Sequence, residues 1–540
     1  MAVIFNTTIP FYLIHLIIKI MAQHDLKLLD CTLRDGGYVN DWKWGFKKAR
    51  NIIKALVKAN IDFVEVGFLR NVEGYNPDIT VCNHIEELNN LLPEKTGNTV
   101  FSGMAMRSNY DINKLSPYCG KGIEMIRITA HDYDIEDGMD FAKEVKDKGY
   151  KLSINPINIM GYSDEKILWI LEQVNKILPY QFSIVDTFGS MKHKDLDRIV
   201  SLVDNNLDSN IRVGLHLHEN MAISCLLAQS FIDKHLQRSI TVDGSLQGMG
   251  RIPGNLPIEL ISDYANEYAD SNYDIDYLMD AIQDYIDPIK GHSEWGYTPA
   301  YFLSARYNLH RNYAEHYLQK GDLTHRDINH ILARFDYSKK TAFDAGYADS
   351  LYEEYKDNTI DDSLAFNQLK NELKGKNILV IAPGSTLNDY KDKIDEYIGI
   401  ERPFVISINF IPDNNWVDMV FFSNAKRFEQ FYSQNIRTII TSNIKDVSAN
   451  YVINHNTLSS AVKFGTNSFV MLLKLLKSLD VSSISVAGAD GFRDDQASYY
   501  NNVMRQTVLN GNQYNIAVKE ALSTLALDLN FITPSAYVEE

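Results

Sequence analysis

Between residues 27 and 245, short apolar, β-branched runs alternate eight times with segments of helical period, and this repetition constrains the fold more than any single residue. The runs cover 27–32, 63–68, 99–106, 125–130, 151–157, 181–187, 211–218 and 239–245; stretches such as 47–59 and 163–177 carry the helical period. Strands alternating with helices pair in parallel through crossovers, and eight such units close into a barrel. An open doubly wound sheet is the alternative, but it seldom runs to eight consecutive units without a Gly-rich phosphate loop. The sequence therefore predicts an α/β fold built on a (β/α)8 TIM barrel.

A chain of 540 residues exceeds what one core can serve. The barrel is expected over 25–270, a tyrosine-rich helical extension and linker over 271–355, and a second α/β three-layer, Rossmann-like domain over 370–540. Strands in that second domain are expected from Asn377 and at 404–409, 418–422, 438–441, 451–454 and 483–487. Residues 1–24 are read as an extension outside the fold. Its apolar run, 9–20, is too short for a comfortable membrane span and lacks a basic start or a cleavage site. A start codon placed upstream of Met21 is preferred to an anchoring role. A net charge of -17 with no basic stripe argues against a nucleic-acid partner. Cys31, Cys82, Cys119 and Cys225 lack regular spacing, which fits reduced thiols and a cytoplasmic protein.

Polar residues gather late in the strand runs or just after them: Glu65, Arg107, His131, Asn155, Asp186, His218 and Asp243. In this fold the C-terminal rim of the strands is where loops converge and chemistry sits. Three segments stand out. "LLDCTLRDGGYVND" carries Arg34, Asp35 and Tyr38, "VGLHLHEN" carries His216 and His218, and "DGSLQGMGRIPGN" carries Arg251 and Asn255. Histidines two apart on a strand leave the same face, roughly 6–7 Å apart at the backbone. Two imidazoles there can hold a divalent cation with arms of about 2.1 Å. Asp35 would add a hard oxygen and Asn255 a fourth ligand, a set that suits Mn2+ or Mg2+ and leaves room for substrate oxygens. The bland alternative is a pair of hydrogen-bonded barrel histidines.

"LLDCTLRDGG", "HLHEN" and "GMGRIPGN" resemble the signature segments of the DRE-TIM metallolyase superfamily, which includes 4-hydroxy-2-oxovalerate aldolase, hydroxymethylglutaryl-CoA lyase and the isopropylmalate and homocitrate synthases. The resemblance implies Asp35, His216 and His218 as metal ligands, completed by Asn255 in some members. It also implies Arg34 facing an enolate oxygen, with Glu65 holding that arginine. The expected reaction is an aldol or retro-aldol step through a metal-chelated, pyruvate-like enolate, with a 2-oxo acid and an aldehyde as small-molecule partners. The aldolase branch often has a histidine acid/base where Tyr38 stands here, so the proton carrier is left open among Tyr38, His131 and a metal-bound water. A Claisen-type acyl-CoA:2-oxo acid synthase and a non-catalytic barrel scaffold are the competing readings.

The turn "APGST" is a phosphate-binding candidate through Gly384, Ser385 and Thr386 at a helix start. A plain strand–helix turn is the equal alternative. The second domain is diffusely similar to bacterial sialyltransferase-like, surface-glycan domains, with His455 as a candidate base. That similarity implies a nucleotide or nucleotide sugar as ligand and a bifunctional enzyme of polysaccharide synthesis. The helical extension is expected either to dock the second domain or to serve a homodimer.

Overall fold

The computed structural model describes residues 25–94, 97–251, 253–321, 323–459, 467–492, 499–501, 504 and 511–538. The extension read at 1–24 lies outside them. The chain divides into two compact units, residues 1–348 and 349–540. No helix among the described residues is long and apolar enough to cross a membrane.

In the first unit, strands β1 (Leu26–Asp30), β2 (Phe63–Leu69), β3 (Val100–Met106), β4 (Met125–Ala130), β5 (Lys151–Pro156), β6 (Gln181–Asp186), β7 (Arg212–Leu217) and β8 (Ile240–Gly244) follow one another in parallel. β8 pairs back onto β1, with Leu28 opposite Val242, so the sheet closes into the expected barrel. The outer helices follow from spacing. α1 (Phe46–Lys58) buries Ala49, Ile52, Ile53 and Leu56, the i, i+3, i+4, i+7 stripe of an amphipathic helix. Each large apolar side chain so buried is worth about 2 kcal/mol. α2 (Ile85–Asn89) and α3 (Ile135–Asp147) come next. α4 (Asp164–Ile177) starts on Ser163, whose side chain accepts from Lys166 N, and stops at Leu178 in the left-handed region. α5 (His193–Asn206), α6 (Ser224–Ile232) and α7 (Ile258–Tyr268) complete the ring.

The alternation is imperfect at one place. Between β3 and β4 the chain makes only 3-10 turns, Arg107–Asn109 and Ile112–Lys114. Pro117 and two positive-φ glycines, Gly120 and Gly122, follow within the same connection, where a continuous helix has no room to form. Packing is close at Gly67 in β2, where a Cβ would lie 2.1 Å from the Thr80 carbonyl oxygen, a backbone atom that cannot turn aside. Gly67→Ala is expected to lower stability by about 3 kcal/mol, read as a fall in the urea midpoint at unchanged slope.

Beyond β8, helices Ile275–Ala281, Pro299–Arg306, Asn312–Lys320 and His325–Leu332 form the extension. Tyr313 and Tyr317 are fully buried in it; the Tyr313 hydroxyl shares its one hydrogen between the backbone oxygens of Lys339 and Ala342, and Tyr317 donates to that of Ala348. This is why so many tyrosines there are structural.

The described residues of the second unit form a seven-stranded parallel sheet. Its strands are β9 (Asn377–Ile381), β10 (Phe404–Ile408), β11 (Met419–Phe422), β12 (Arg437–Thr441), β13 (Tyr451–Ile453), β14 (Ser483–Ala487) and β15 (Leu529–Phe531), ordered β13-β12-β11-β10-β9-β14-β15. Ile378 and Val380 face one apolar core while Leu379 and Ile381 face another, which is the three-layer pattern of a doubly wound sheet. β15 escaped the sequence reading because "LNF" is short and only partly buried.

Candidate metal centre

β1 delivers the first ligand through a tight turn: the N–H groups of Arg34 and Asp35 both donate to Cys31 O, at 3.1 and 2.7 Å. β7 delivers His216 and, one residue past its end, His218; their rings stand 5.0 Å apart at 77°. Each imidazole has its Nδ1 occupied. His216 Nδ1 lies 3.1 Å from Asp243 Oδ2, and His218 Nδ1 lies 2.9 Å from the backbone oxygen of Asp186. Carboxylate and carbonyl oxygens only accept here, so each Nδ1 carries a proton, and in the neutral rings each Nε2 offers its lone pair.

Both Nε2 atoms point to the same oxygen, Asp35 Oδ2, at 3.6 Å each. That is too long for a good hydrogen bond, and Asp35 Oδ2 is buried without a hydrogen-bond partner. It is short enough for ligand arms of about 2.1 Å to meet on one ion. The three ligand atoms lie within 4.8 Å of one another. Asn255 Oδ1 is also buried and unpartnered, while its Nδ2 donates to Met249 O at 3.3 Å. Asn255 lies on the loop after β8, which bridges to the end of β7 with His218 opposite Asn255, and Gly250 leaves room for its side chain, since a Cβ there would lie 2.3 Å from Asn255 Nδ2. Two imidazole nitrogens and the orphaned Asp35 oxygen converge as a set that fits a divalent cation, and the unpartnered Asn255 Oδ1 lies on the adjoining loop.

The other site residues form a closed circuit around this point. Arg34 donates from Nε to Glu65 Oε2 at 2.6 Å and from Nη1 to Asp35 Oδ1 at 2.8 Å. Glu65 Oε2 also accepts from Arg127 Nη1 at 3.2 Å. Arg127 Nη2 donates to Asp243 Oδ2, the oxygen that His216 faces, and to Asn155 Oδ1 at 3.2 Å. Arg127 is almost fully buried in β4 and was absent from the candidates; a lone arginine inside the apolar run "MIRITA" is the signal that could have found it. Three carboxylates (Asp35, Glu65, Asp243) against two guanidinium groups (Arg34, Arg127) leave this buried circuit one negative charge. Burial would push the Asp35 carboxyl up, yet the charge of the adjacent Arg34 guanidinium holds it well below the usual range. Burial also opposes ionisation of Asp243, and Arg127 and His216 overcome it.

Arg34, Asp35, Arg127 and His216 of this circuit line a cavity of about 200 Å3, together with Tyr38, His131, Phe188 and Arg251. Tyr38 OH is 3.4 Å from Arg70 Nη2. His131 stacks on Tyr133 at 4.8 Å, and burial holds its imidazole below its ordinary value. Not every rim residue belongs here. Arg107 pairs with Asp137 at the surface, at 2.6 Å. Asp186 instead caps its own loop, accepting from Ser190 N and Met191 N.

In the second unit, the candidate turn is already occupied by the protein's own carboxylate. Asp490, after β14, accepts from Thr386 N at 2.9 Å, from Ser385 Oγ at 3.1 Å and from Thr386 Oγ1. A Cβ on Gly384 would strike Asp490 Oδ1 at 2.3 Å. His455 follows β13 and is buried, its N–H donating to Ser442 Oγ at 2.9 Å.

Residues 125–284 match the family model described as HMGL-like. Among curated proteins, the chain is 22% identical over 236 residues to an oxaloacetate decarboxylase of Mycobacterium tuberculosis, covering 43% of this chain and 67% of the relative. It is 23% identical over 237 residues to a 4-hydroxy-2-oxovalerate aldolase of Marinomonas sp., covering 43% of this chain and 68% of that one. Among solved structures, the HMG-CoA lyase of Bacillus subtilis aligns at 12% identity with a TM-score of 0.40, over 50% of this chain and 94% of the lyase.

Proposed function

We propose that the barrel is a divalent-metal-dependent carbon–carbon lyase, an aldolase acting through a pyruvate-like enolate. The observation that carries this reading is the convergence of His216 Nε2, His218 Nε2 and Asp35 Oδ2 beside the Arg34 guanidinium, in the lining of a small cavity. Asp35, His216, His218 and Asn255 would hold Mn2+ or Mg2+, which when bound supplies Lewis-acid polarisation of a 2-oxo acid. The protein's own groups do the rest. Arg34 carries a permanent charge and donates to the oxygen on which negative charge develops. Glu65 fixes that arginine through a 2.6 Å bond. In the cleavage direction the bond between C3 and C4 of a 4-hydroxy-2-oxo acid breaks and its electron pair stays with the 2-oxo half. The 4-hydroxyl loses its proton as the aldehyde leaves, and C3 regains one. Tyr38 and His131, both in the cavity wall, are the proton carriers of this reading.

The size of the cavity supports a small substrate, since pockets for drug-sized ligands run to roughly 300–1,000 Å3. Decarboxylation of a 2-oxo diacid shares the same enolate, and the likeness to an oxaloacetate decarboxylase keeps it as a second reading. One experiment separates these. Purified protein is analysed for metal, stripped with chelator, reloaded with Mn2+ or Mg2+, and screened over 4-hydroxy-2-oxo acids, oxaloacetate, and acetyl-CoA with 2-oxo acids, for 2-oxo acid, aldehyde, CO2 and free thiol. Release of a 2-oxo acid with an aldehyde, lost on stripping and regained on reloading, is the expected result. CO2 without aldehyde selects the decarboxylase, thiol release from acetyl-CoA selects an acyl-transferring synthase, and turnover indifferent to chelator sinks all three.

For the second unit, a nucleotide-sugar ligand and a surface-glycan role rest on the diffuse resemblance alone. The Asp490 carboxylate seated on Thr386 N speaks against a phosphate at Gly384, Ser385 and Thr386, because the two anions would compete for the same donors.

A further inference from the structure

The cavity lining holds a second polar pair that the aldol chemistry leaves without a task. Arg251, from the loop after β8, and His310, from the turn between helices Pro299–Arg306 and Asn312–Lys320, both line the cavity. The other two guanidinium groups in the lining, Arg34 and Arg127, are each matched to carboxylates. Arg251 is not: among the described residues it makes no ion pair. Its Nη2 lies 3.0 Å from His310 Nε2, its Nε is buried without a hydrogen-bond partner, and its guanidinium lies over the Tyr38 ring at 5.5 Å. The nearby cation Arg311 faces Glu315 at 3.7 Å.

The contact between Arg251 and His310 is itself incomplete. Asn312 N–H donates to His310 Nδ1 at 3.2 Å, and a guanidinium can only donate. A neutral imidazole has one acceptor nitrogen, so one of these two donors always meets another N–H. Burial, with the charges of Arg251 and Arg311, pushes the His310 imidazole down to about 3, so the ring stays neutral and the mismatch persists. A cation without a carboxylate, next to a donor without an acceptor, is completed by an anionic oxygen from a ligand.

We propose that the substrate bears a second carboxylate, on the half that leaves as the aldehyde, and that Arg251 holds it. This rests on the aldol reading, in which Asp35, His216, His218 and Arg34 take the 2-oxo acid end. A lone guanidinium, with no lysine in the lining, matches the single charge of a carboxylate better than a dianionic phosphate. The aldehyde product is then itself an oxo-carboxylate. Bond changes are those of the aldol step, with each half anchored through its own carboxylate.

The test pairs two 2-oxo acids of equal chain length, 2-oxoglutarate and 2-oxovalerate, which differ only in the terminal carboxylate. Titrated calorimetrically into Mn2+-loaded full-length protein, 2-oxoglutarate is expected to bind roughly 30-fold tighter, the scale of a hydrogen bond between charged groups. In Arg251→Met that ratio should fall to within about threefold, with Arg251→Lys between, because the charge survives there without the planar fork. Equal Mn2+ content in all three proteins shows that the metal end is intact. Turnover of 4-hydroxy-2-oxo acids ending in carboxylate, phosphate or methyl adds a second readout, with kcat/KM expected to be highest for the carboxylate. Wild-type protein that binds the pair equally, or a ratio that Arg251→Met leaves in place, overturns the proposal. A preference for the phosphate ending overturns the choice of carboxylate. If no member of the series is cleaved while the binding ratio still collapses in Arg251→Met, the aldol reading fails and the anion site stands.

Discussion

Asp35→Asn should lose bound Mn2+ and turnover together, with kcat/KM down by at least about 10^3-fold, since a Lewis acid at the developing enolate is worth several kcal/mol and each 1.4 kcal/mol is a factor of ten. The substitution keeps the shape of the side chain. It removes the buried negative charge that His216 Nε2 and His218 Nε2 both face at 3.6 Å, and its single remaining oxygen cannot serve both the ion and Arg34 Nη1. Elemental analysis and turnover with added Mn2+ check it. A variant that works fully once Mn2+ is supplied would remove the mechanism. Because Asp35 is buried and paired with Arg34, some stability is lost as well, so metal content should be compared in protein whose circular dichroism matches wild type.

Arg127→Met should cost about 3–5 kcal/mol of stability, because it strands Glu65 and Asp243 as buried carboxylates that have each lost a partner. The functional effect has a direction too. Glu65 orients Arg34, and Asp243 holds the proton on His216 Nδ1, so both supports loosen at once. Metal affinity and kcat should each fall by roughly 10–100-fold, the usual effect of removing a group that orients metal ligands. KM should change less, since Arg127 is spent on the protein's own carboxylates. Arg127→Lys should recover part of the stability and little of the kcat, because a point charge cannot bridge Glu65, Asn155 and Asp243 together. Wild-type metal affinity in Arg127→Met would reduce this arginine to packing.

Much of the site was legible because its information is local. The Arg34–Asp35 dipeptide at the end of a strand and histidines two apart on another strand announce side-chain direction through the strand period alone. The eight alternations say which ends meet. Arg127 stayed hidden because a single charged residue in a strand reads as noise until its partners, 62 residues back at Glu65 and 116 residues on at Asp243, are known. The missing helix between β3 and β4 was foreshadowed by Pro117 and two glycines, yet the regularity of the repeat outweighed them. The turn at Gly384 was misleading for the opposite reason: its local pattern suits an anion, and the anion is Asp490, about a hundred residues later.

What the sequence determined by itself, then, is the barrel, the second parallel sheet and the residue types at the strand ends, since periodicity and side-chain direction are properties of neighbouring residues. Only the tertiary structure decided which charges are answered. Among the described residues it paired Arg34 and Arg127 with carboxylates, left Asp35 Oδ2 and Asn255 Oδ1 without hydrogen-bond partners and Arg251 without an ion pair, and seated Asp490 in the turn. The reason is the range of the forces. Secondary structure is written within a few residues, whereas a buried charge is stabilised or stranded by whatever the closed sheet brings within about 4 Å of it.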